Sequence, residues 1–404
     1  MTIQTTARNA TLDDMVALLR DQHARKLDVV APATNLRSRG GLIHIKGAEQ
    51  QITMDGVTAV DGVYRPTGVF DEGVADKLGM PLAYVRKLRN ERPDLYDANV
   101  NGWLHGKTVQ RLVDVSGPDA DGRIKREART DVIAEADSRS FLVRAFRDDE
   151  GGTGVVRALL SNGYGVMDNL DALVAVLDGV QQAGVDVEVG RCDLTDRRLY
   201  VQIKAPAIAA AAPTLLRGYR SPFTGQSGDQ LPTVFAGLVL RNSEVGDGAW
   251  SLAPQVIVQV CANGMTVTRD AVRAVHIGSK LSDGVINWSA DTATKNAELV
   301  VAKTRDAVAS FLSPEWLNGA VADLEAKAGA PVEKAQDTIT TVVKRLGFPQ
   351  SHIDGILDHF IRGGQVTAGG VAQAITSYSQ TVDDADLAHE MDAKAIDAME
   401  LVAG

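Results

Sequence analysis

The sequence predicts an α+β protein: an antiparallel sheet with packed helices, followed by a C-terminal helical region. Three observations carry this. Val-, Ile- and Leu-rich runs bounded by Gly or Asn recur through VDVEVGR, RLYVQIK, TVFAGLVLRN, APQVIVQVCAN and GMTVTRD. Two of them alternate polar and apolar with the period of half-buried strands. An amphipathic stretch stands just before them, with Leu170, Leu173, Val174 and Leu177 at the spacing of one helical face. From about residue 291 the period becomes helical and stays so to the end.

In chain order, residues 11–27 read as a short amphipathic helix with Met15, Leu18 and Leu19 on one face. LIHIKG, QITM and AVDGVYRP are short strands with Gly turns. Residues 70–95 are helical, broken at Gly79 and restarted with Pro81 in a first-turn position. Residues 109–115 and 140–147 return to strand patterns, and VVRALL is a strand leading into the helix that Asp168 or Asn169 caps. CDLTDRR is a hairpin turn, and the Ala-, Gly-, Pro- and Ser-rich residues 206–232 predict a long surface loop. The late helices are TATKNAELVVAKTRDAVASFL, VEKAQDTITTVVKRL, HIDGILDHFI, TAGGVAQAITSYSQ and the acidic DADLAHEMDAKAIDAMELV. This organisation predicts three regions, 1–120, 121–290 and 291–404.

With 404 residues and 45% hydrophobic content, the chain can bury sizeable cores. It has no run of eighteen apolar residues, so no membrane span is expected. The N-terminus lacks the pattern of a secretory signal. Cys192 and Cys261 are the only cysteines and read as core thiols in a reducing cytoplasm, here that of a bacterial host. The net charge of −10 is uneven: residues 1–150 carry 22 Lys+Arg against 23 Asp+Glu, 151–300 carry 12 against 14, and 301–404 carry 8 against 15. Indiscriminate nucleic-acid binding is disfavoured, while a local basic groove is not.

Ser161-Asn162-Gly163-Tyr164-Gly165 joins a strand to a helix, as phosphate loops do. It lacks the third glycine of a dinucleotide fingerprint, and Asp168 and Asp171 would repel a pyrophosphate. No P-loop Lys followed by Ser or Thr is present. The segment reads as a corner with glycine at positive φ. His352 and His359 are seven residues apart, not the three or four usual for metal-binding helices. No GxSxG and no triad spacing occur, and the lone His276 is the nearest candidate for a base. No catalytic residue, cofactor or metal site is therefore predicted.

Two basic features remain. Residues 191–220 hold Arg191, Arg197, Arg198, Lys204, Arg217 and Arg220 against Asp193 and Asp196, and residues 123–147 hold a second group. Such a hairpin can track a phosphate backbone while Tyr164, Tyr200, Tyr219, Phe223 or Trp250 stack bases. The other feature is a helix-turn-helix spacing over 71–89. There Ala75, Gly79 and Val85 take the small, turn and core positions, and Arg86, Lys87 and Arg89 lie on the second helix.

LSNGYGVMDNLDALVAVLDGV, RRLYVQIKAP, APQVIVQVCANGMTV, RAVHIGSKL and GGVAQAITSY together resemble the phage/plasmid-like protein family catalogued as domain of unknown function 932, over about residues 130–380. The resemblance implies a phage or plasmid context and no settled activity. The expected function is a self-assembling, phage-type protein that binds or anneals single-stranded DNA, as a homo-oligomer up to a ring. Arg191, Arg197, Arg198 and Lys204 would contact backbone, supported by Arg157 and Arg241. The alternatives are a duplex-DNA regulator using Arg86, Lys87 and Arg89, a non-DNA assembly or host-interaction protein, and an enzyme using His276.

Overall fold

The structure is a computed structural model that describes residues 3–48, 51–53, 56–58, 60–114, 116–118, 121–125, 128–148, 151–261, 264–274 and 290–404. The chain opens with β1 (Ala7–Ala10), α1 (Leu12–Arg25), β2 (Lys26–Pro32), β3 (Leu36–Arg39), β4 (Leu42–Ile45), β5 (Gln51–Thr53), β6 (Gly56–Thr58) and β7 (Gly62–Pro66). Three helices follow, α2 (Gly68–Leu78), α3 (Leu82–Glu91) and α4 (Pro93–His105). Then come β8 (Lys107–Asp114), β9 (Gly117–Pro118), β10 (Ile124–Lys125), β11 (Ala128–Glu135), β12 (Ser140–Phe146) and β13 (Gly154–Ser161). Next are α5 (Asn169–Ala183), β14 (Glu188–Leu194), β15 (Leu199–Ala211), β16 (Thr233–Asn242), β17 (Trp250–Val258), β18 (Gly264–Thr266) and β19 (Val272–Ala274). The chain closes with α6 (Ala290–Phe311), α7 (Pro314–Ala328), α8 (Ala335–Leu346), α9 (Ile353–Gly363), α10 (Ala368–Ser379) and α11 (Ala385–Ala403).

The class is α+β, as the periodicities predict. The expected boundaries at 120 and 290 do not divide it. The chain forms two compact units: unit 1 holds residues 1–3, 21–164 and 278–287, and unit 2 holds 4–20, 165–277 and 288–404. The reason is strand pairing. β12 pairs with β2 and β13 pairs with β7, which draws residues up to 164 into the N-terminal sheet.

Unit 1 is built on a sheet of order β2-β12-β13-β7-β4-β3, antiparallel except for the parallel β13–β7 pair. β7 runs directly into α2, where the Thr67 hydroxyl accepts from the backbone N–H of Phe70 at 3.2 Å and so caps the helix. Gly73 lets α2 seat against β13, since a Cβ there would lie 2.6 Å from the Leu159 carbonyl oxygen. Phe70, Val74 and Leu78 of α2, Val85 and Leu88 of α3, and Tyr96, Val100 and Leu104 of α4 share one core with sheet residues such as Leu27, Val143 and Leu159.

Unit 2 has a wholly antiparallel sheet of order β1-β14-β15-β16-β17-β18, with β19 also on β17. One face is apolar: Val201, Ile203, Leu238, Leu240, Leu252 and Val256 are fully buried in a core shared with residues of α5 and α6. The side chains on the other face form rows across the strands, and one row reads Asp193, Tyr200, Arg241, Ser251.

Three local expectations are corrected. β15 runs on to Ala211 with an irregularity between Ala205 and Ala209. The segment after it is no surface loop, because Leu215, Leu216 and Tyr219 are buried. On α5, Val174 is 56% exposed and the buried face is Ala172, Leu173, Val176 and Val180. Gly179 sets this rotation by letting α6 come close; a Cβ there would meet Thr304 at 2.7 Å. Neither Gly163 nor Gly165 has a positive φ.

Candidate functional site

The hairpin of β14 and β15 is the expected phosphate-binding surface, and the structure engages its cations with acids of β14 itself and with others brought from elsewhere in the chain. Arg191 places Nε 3.0 Å from Asp193 Oδ2 and Nη2 3.2 Å from Asp392 Oδ2 on α11. Asp193, with no exposed side-chain surface, also receives Arg8 Nη1 at 2.6 Å, the Asn9 backbone N–H at 2.7 Å and His389 Nε2 at 2.8 Å. Ser379 Oγ donates to the remaining Asp392 oxygen at 2.5 Å. Arg198 lies 2.9 Å from Asp247 and 3.8 Å from Asp386, and Arg197 reaches Asp247 at 3.5 Å. Lys204 pairs with Glu188 at 2.7 Å and lies over the Phe235 ring.

This cluster is electrostatically self-consistent. Burial depresses the His389 pKa to about 4 despite the carboxylate beside it, so the imidazole is neutral and donates to Asp193. Burial alone would raise Asp193, but the bond from His389, the charge of Arg191 and the Asn9 N–H outweigh it and hold the carboxyl below its usual range. Burial lifts Asp392 to about 6, opposed by Arg191 and by the Ser379 hydroxyl. The Tyr200 ring stacks on His389 with centroids 4.0 Å apart and gives its hydroxyl proton to Asp386 at 2.8 Å. The basic hairpin and the acidic C-terminal helix thus satisfy each other. α11 carried the signal for this, since it places His389 and Asp392 among Ala385, Ala388, Met391 and Ala395 on its buried face. A polar group on an apolar stripe demands a partner across the contact.

The two supporting residues behave differently. Arg157 belongs to unit 1, is 6% exposed and lies 4.3 Å from the Phe146 ring centroid. Arg241, in contrast, makes no hydrogen bond or ion pair among the described residues. Of the aromatics proposed to stack bases, Tyr200, Tyr219 and Trp250 are buried and only Phe223 is largely exposed. In the second basic group, Arg139 pairs with Asp137 at 2.6 Å, and Arg144, 1% exposed, pairs with Asp28 at 2.8 Å. Arg126 lies outside the described residues.

The segment forms the two helices and the glycine turn that its spacing predicts. α2 ends at Gly79 in the left-handed conformation (φ 65°), three residues separate the helices, and Ala75 and Val85 are buried at their contact. Two of its three cations are ion-paired to α2. Arg89 lies 2.7 Å from buried Asp71 and donates to the Pro66 carbonyl at 3.0 Å, and Arg86 is held by Glu72. Burial lifts the Asp71 pKa to about 6 against the charge of Arg89. Lys87 alone points outward without an ion pair among the described residues, on an exposed face shared with Ala83, Tyr84 and Asn90.

The start of α5 is closed to phosphate. Glu244 accepts from the Asn169 backbone N–H at 2.5 Å, while the Asp168 side chain makes no cap bond. Asn242 braces the same turn by donating to Met167 O and Asn169 Oδ1 at 3.0 and 2.9 Å. His352 and His359 contact the hydroxyls of Tyr378 and Ser377 at 2.9 and 2.8 Å. Both cysteines are free and buried, and burial followed by the Asp193 charge pushes the Cys192 thiol up to about 12. Among the described residues no helix is long and apolar enough to cross a membrane, and no cluster of His, Cys, Asp or Glu is suited to a metal. His276 lies outside the described residues. No family model, curated protein or solved structure matches the chain.

Proposed function

We propose that this chain is a DNA-binding protein that reads duplex DNA through α3 of unit 1. The observation that supports this reading is the outward face of α3: Ala83, Tyr84, Lys87 and Asn90 lie on one side of a helix held by a left-handed glycine turn. A ten-residue helix is about 15 Å long, which suits a major groove. Asn90 offers the paired donor and acceptor that match adenine, and Lys87 offers a donor for guanine or phosphate.

Charge favours unit 1 over unit 2. Unit 1 holds 22 Lys+Arg and 22 Asp+Glu, and unit 2 holds 20 and 30, which together make the chain's 42 and 52. A polyanion is repelled by unit 2 and met neutrally by unit 1. With so little net positive charge, one copy binds weakly. Useful affinity then requires a homo-oligomer presenting two α3 helices to neighbouring half-sites. The single-stranded DNA-binding or annealing function expected from the hairpin now rests on cations that are already ion-paired.

Selection from a random duplex library, followed by anisotropy titration of the selected duplex and its single strand across a salt series, tests the proposal. Lys87→Ala with Asn90→Ala should weaken duplex binding at least ~10-fold, from about 1–3 kcal/mol per base contact. Arg197→Ala with Arg198→Ala should change it little. No duplex binding by the wild type, or tight single-strand binding abolished by the hairpin variant, would return the assignment to residues 191–204.

A further inference from the structure

Unit 2 contains a cavity of about 750 Å³ between the Tyr200 face of its sheet and the side of α11 that runs from Asp386 to Asp397. The size is that of a small-molecule site. Its walls include Tyr200 of β15, Arg241 of β16, Ser251 of β17, Thr266 and Thr268, with Asp386 and Asp384 opposite on and before α11. We propose that this cavity binds a small hydroxylated molecule carrying one carboxylate or phosphate group, and that the guanidinium of Arg241 grips that group.

Several charges lining the cavity are already satisfied. Arg198, beside Arg241, donates from Nε to the Asp247 carbonyl at 2.8 Å and pairs with the Asp247 carboxylate. Asp386 takes the Tyr200 hydroxyl. Glu390 takes Lys394, and Asp384 caps α11 by accepting from the Leu387 N–H at 3.2 Å. Arg241 is left with neither an ion pair nor a hydrogen bond among the described residues, although it is only partly exposed. Burial, with the charge of Arg198 adding to it, lowers its pKa from the usual value, and the attraction of Tyr200, Asp247 and Asp386 only partly offsets this.

An unpaired cation in a half-dry recess is costly to the fold, and an oxyanion removes the cost. The planar guanidinium matches carboxylate or phosphate with two parallel bonds. Hydroxyls lie close by: Ser251 is the register neighbour of Arg241, and Thr266 accepts from Gln255 at 2.9 Å, which leaves its own O–H to donate. The carboxylates at the α11 end can accept from ligand hydroxyls. An anionic head at Arg241 and a hydroxylated tail towards α11 therefore fit the polarity of the cavity.

The test uses the full chain and three probes: inorganic phosphate, ribose 5-phosphate and gluconate, each at about 10 mM, a concentration that saturates sites of sub-millimolar Kd. Thermal shift and titration calorimetry should show binding of ribose 5-phosphate or gluconate, and which of the two binds identifies the anion as phosphate or carboxylate. Arg241→Met should lose at least tenfold in affinity while keeping or raising the unliganded Tm, because it removes an unpaired charge and leaves a side chain of similar length. Arg241→Lys should retain part of the binding. No shift with any of the three probes, or equal binding by Arg241→Met, overturns the proposal.

Discussion

The β14–β15 hairpin and helix α3 carry the same kind of sequence signal, several Arg and Lys within a short stretch, and the fold pairs all of them on the hairpin but leaves one, Lys87, without an ion pair on α3 among the described residues. On the hairpin every cation from Arg191 to Lys204 meets a carboxylate, and two of the acids arrive from α11 nearly two hundred positions away. On α3, Arg86 and Arg89 are taken by Glu72 and Asp71 of the preceding helix, while Lys87 is left to solvent. A count of basic residues therefore overstates the charge available to a partner. What matters is how many cations remain after the fold has paired its own.

The contrast breaks most visibly at Asp193. Asp193→Ala removes the buried carboxylate shared by Arg8, Arg191, His389 and the Asn9 N–H, leaving Arg191 only Asp392 and Arg8 only backbone carbonyls, and should destabilise unit 2 by about 3 kcal/mol. Glu72→Ala, which releases the half-exposed Arg86, should cost no more than about 1 kcal/mol. Comparable losses in urea denaturation would show that the hairpin network is no more than a surface feature.

The next effect is on pH dependence. His389 titrates at about 4 in the fold instead of 6.5, so as pH falls through that window unfolded chains take up its proton first and stability is lost. Asp392 titrates at about 6 instead of 3.8, so the fold takes up its proton first and stability is gained as pH falls from about 6 towards 3.8. The two oppose each other over most of the same range. Asp392→Asn removes the gain, so its Tm should fall more steeply than that of the wild type between pH 6.5 and 4. Parallel profiles would mean that the two groups are not titrating in the buried network.

The smallest effect is expected at Arg197. It is 30% exposed and 3.5 Å from Asp247, so Arg197→Ala should shift stability by less than about 1 kcal/mol. A larger loss would place Arg197 with Arg191 among the structural cations.

Much of the fold was legible in the sequence. α1, α5, α6 and α8 to α11 follow from apolar spacing. The turn at Gly79 follows from the need of a helix C-cap for positive φ. The sequence does not mark the end of β15, because Ala-Pro-Ala-Ile-Ala-Ala-Ala is mostly alanine with Ile208 its one β-branched residue, and the length of the strand is set by pairing with β16. α7 was not anticipated, although Ser313 caps it and Pro314 occupies its first turn. The sequence offers Asp168 or Asn169 as the cap of α5, and Glu244, seventy-five residues beyond Asn169, accepts the Asn169 N–H instead.

The sequence by itself determined the α+β class, the order of most elements and the helix-turn-helix spacing, because period, caps and turn residues act within a few positions of each other. Tertiary structure alone decided which charges are spent and which remain. Arg191 and Arg241 both lie on strands of one sheet, yet one is held by Asp193 and by Asp392 of α11, and the other lines a cavity with neither a hydrogen bond nor an ion pair among the described residues. Coulomb energy and desolvation depend on distance and burial in space, and both are set only once α11 has folded back on the sheet.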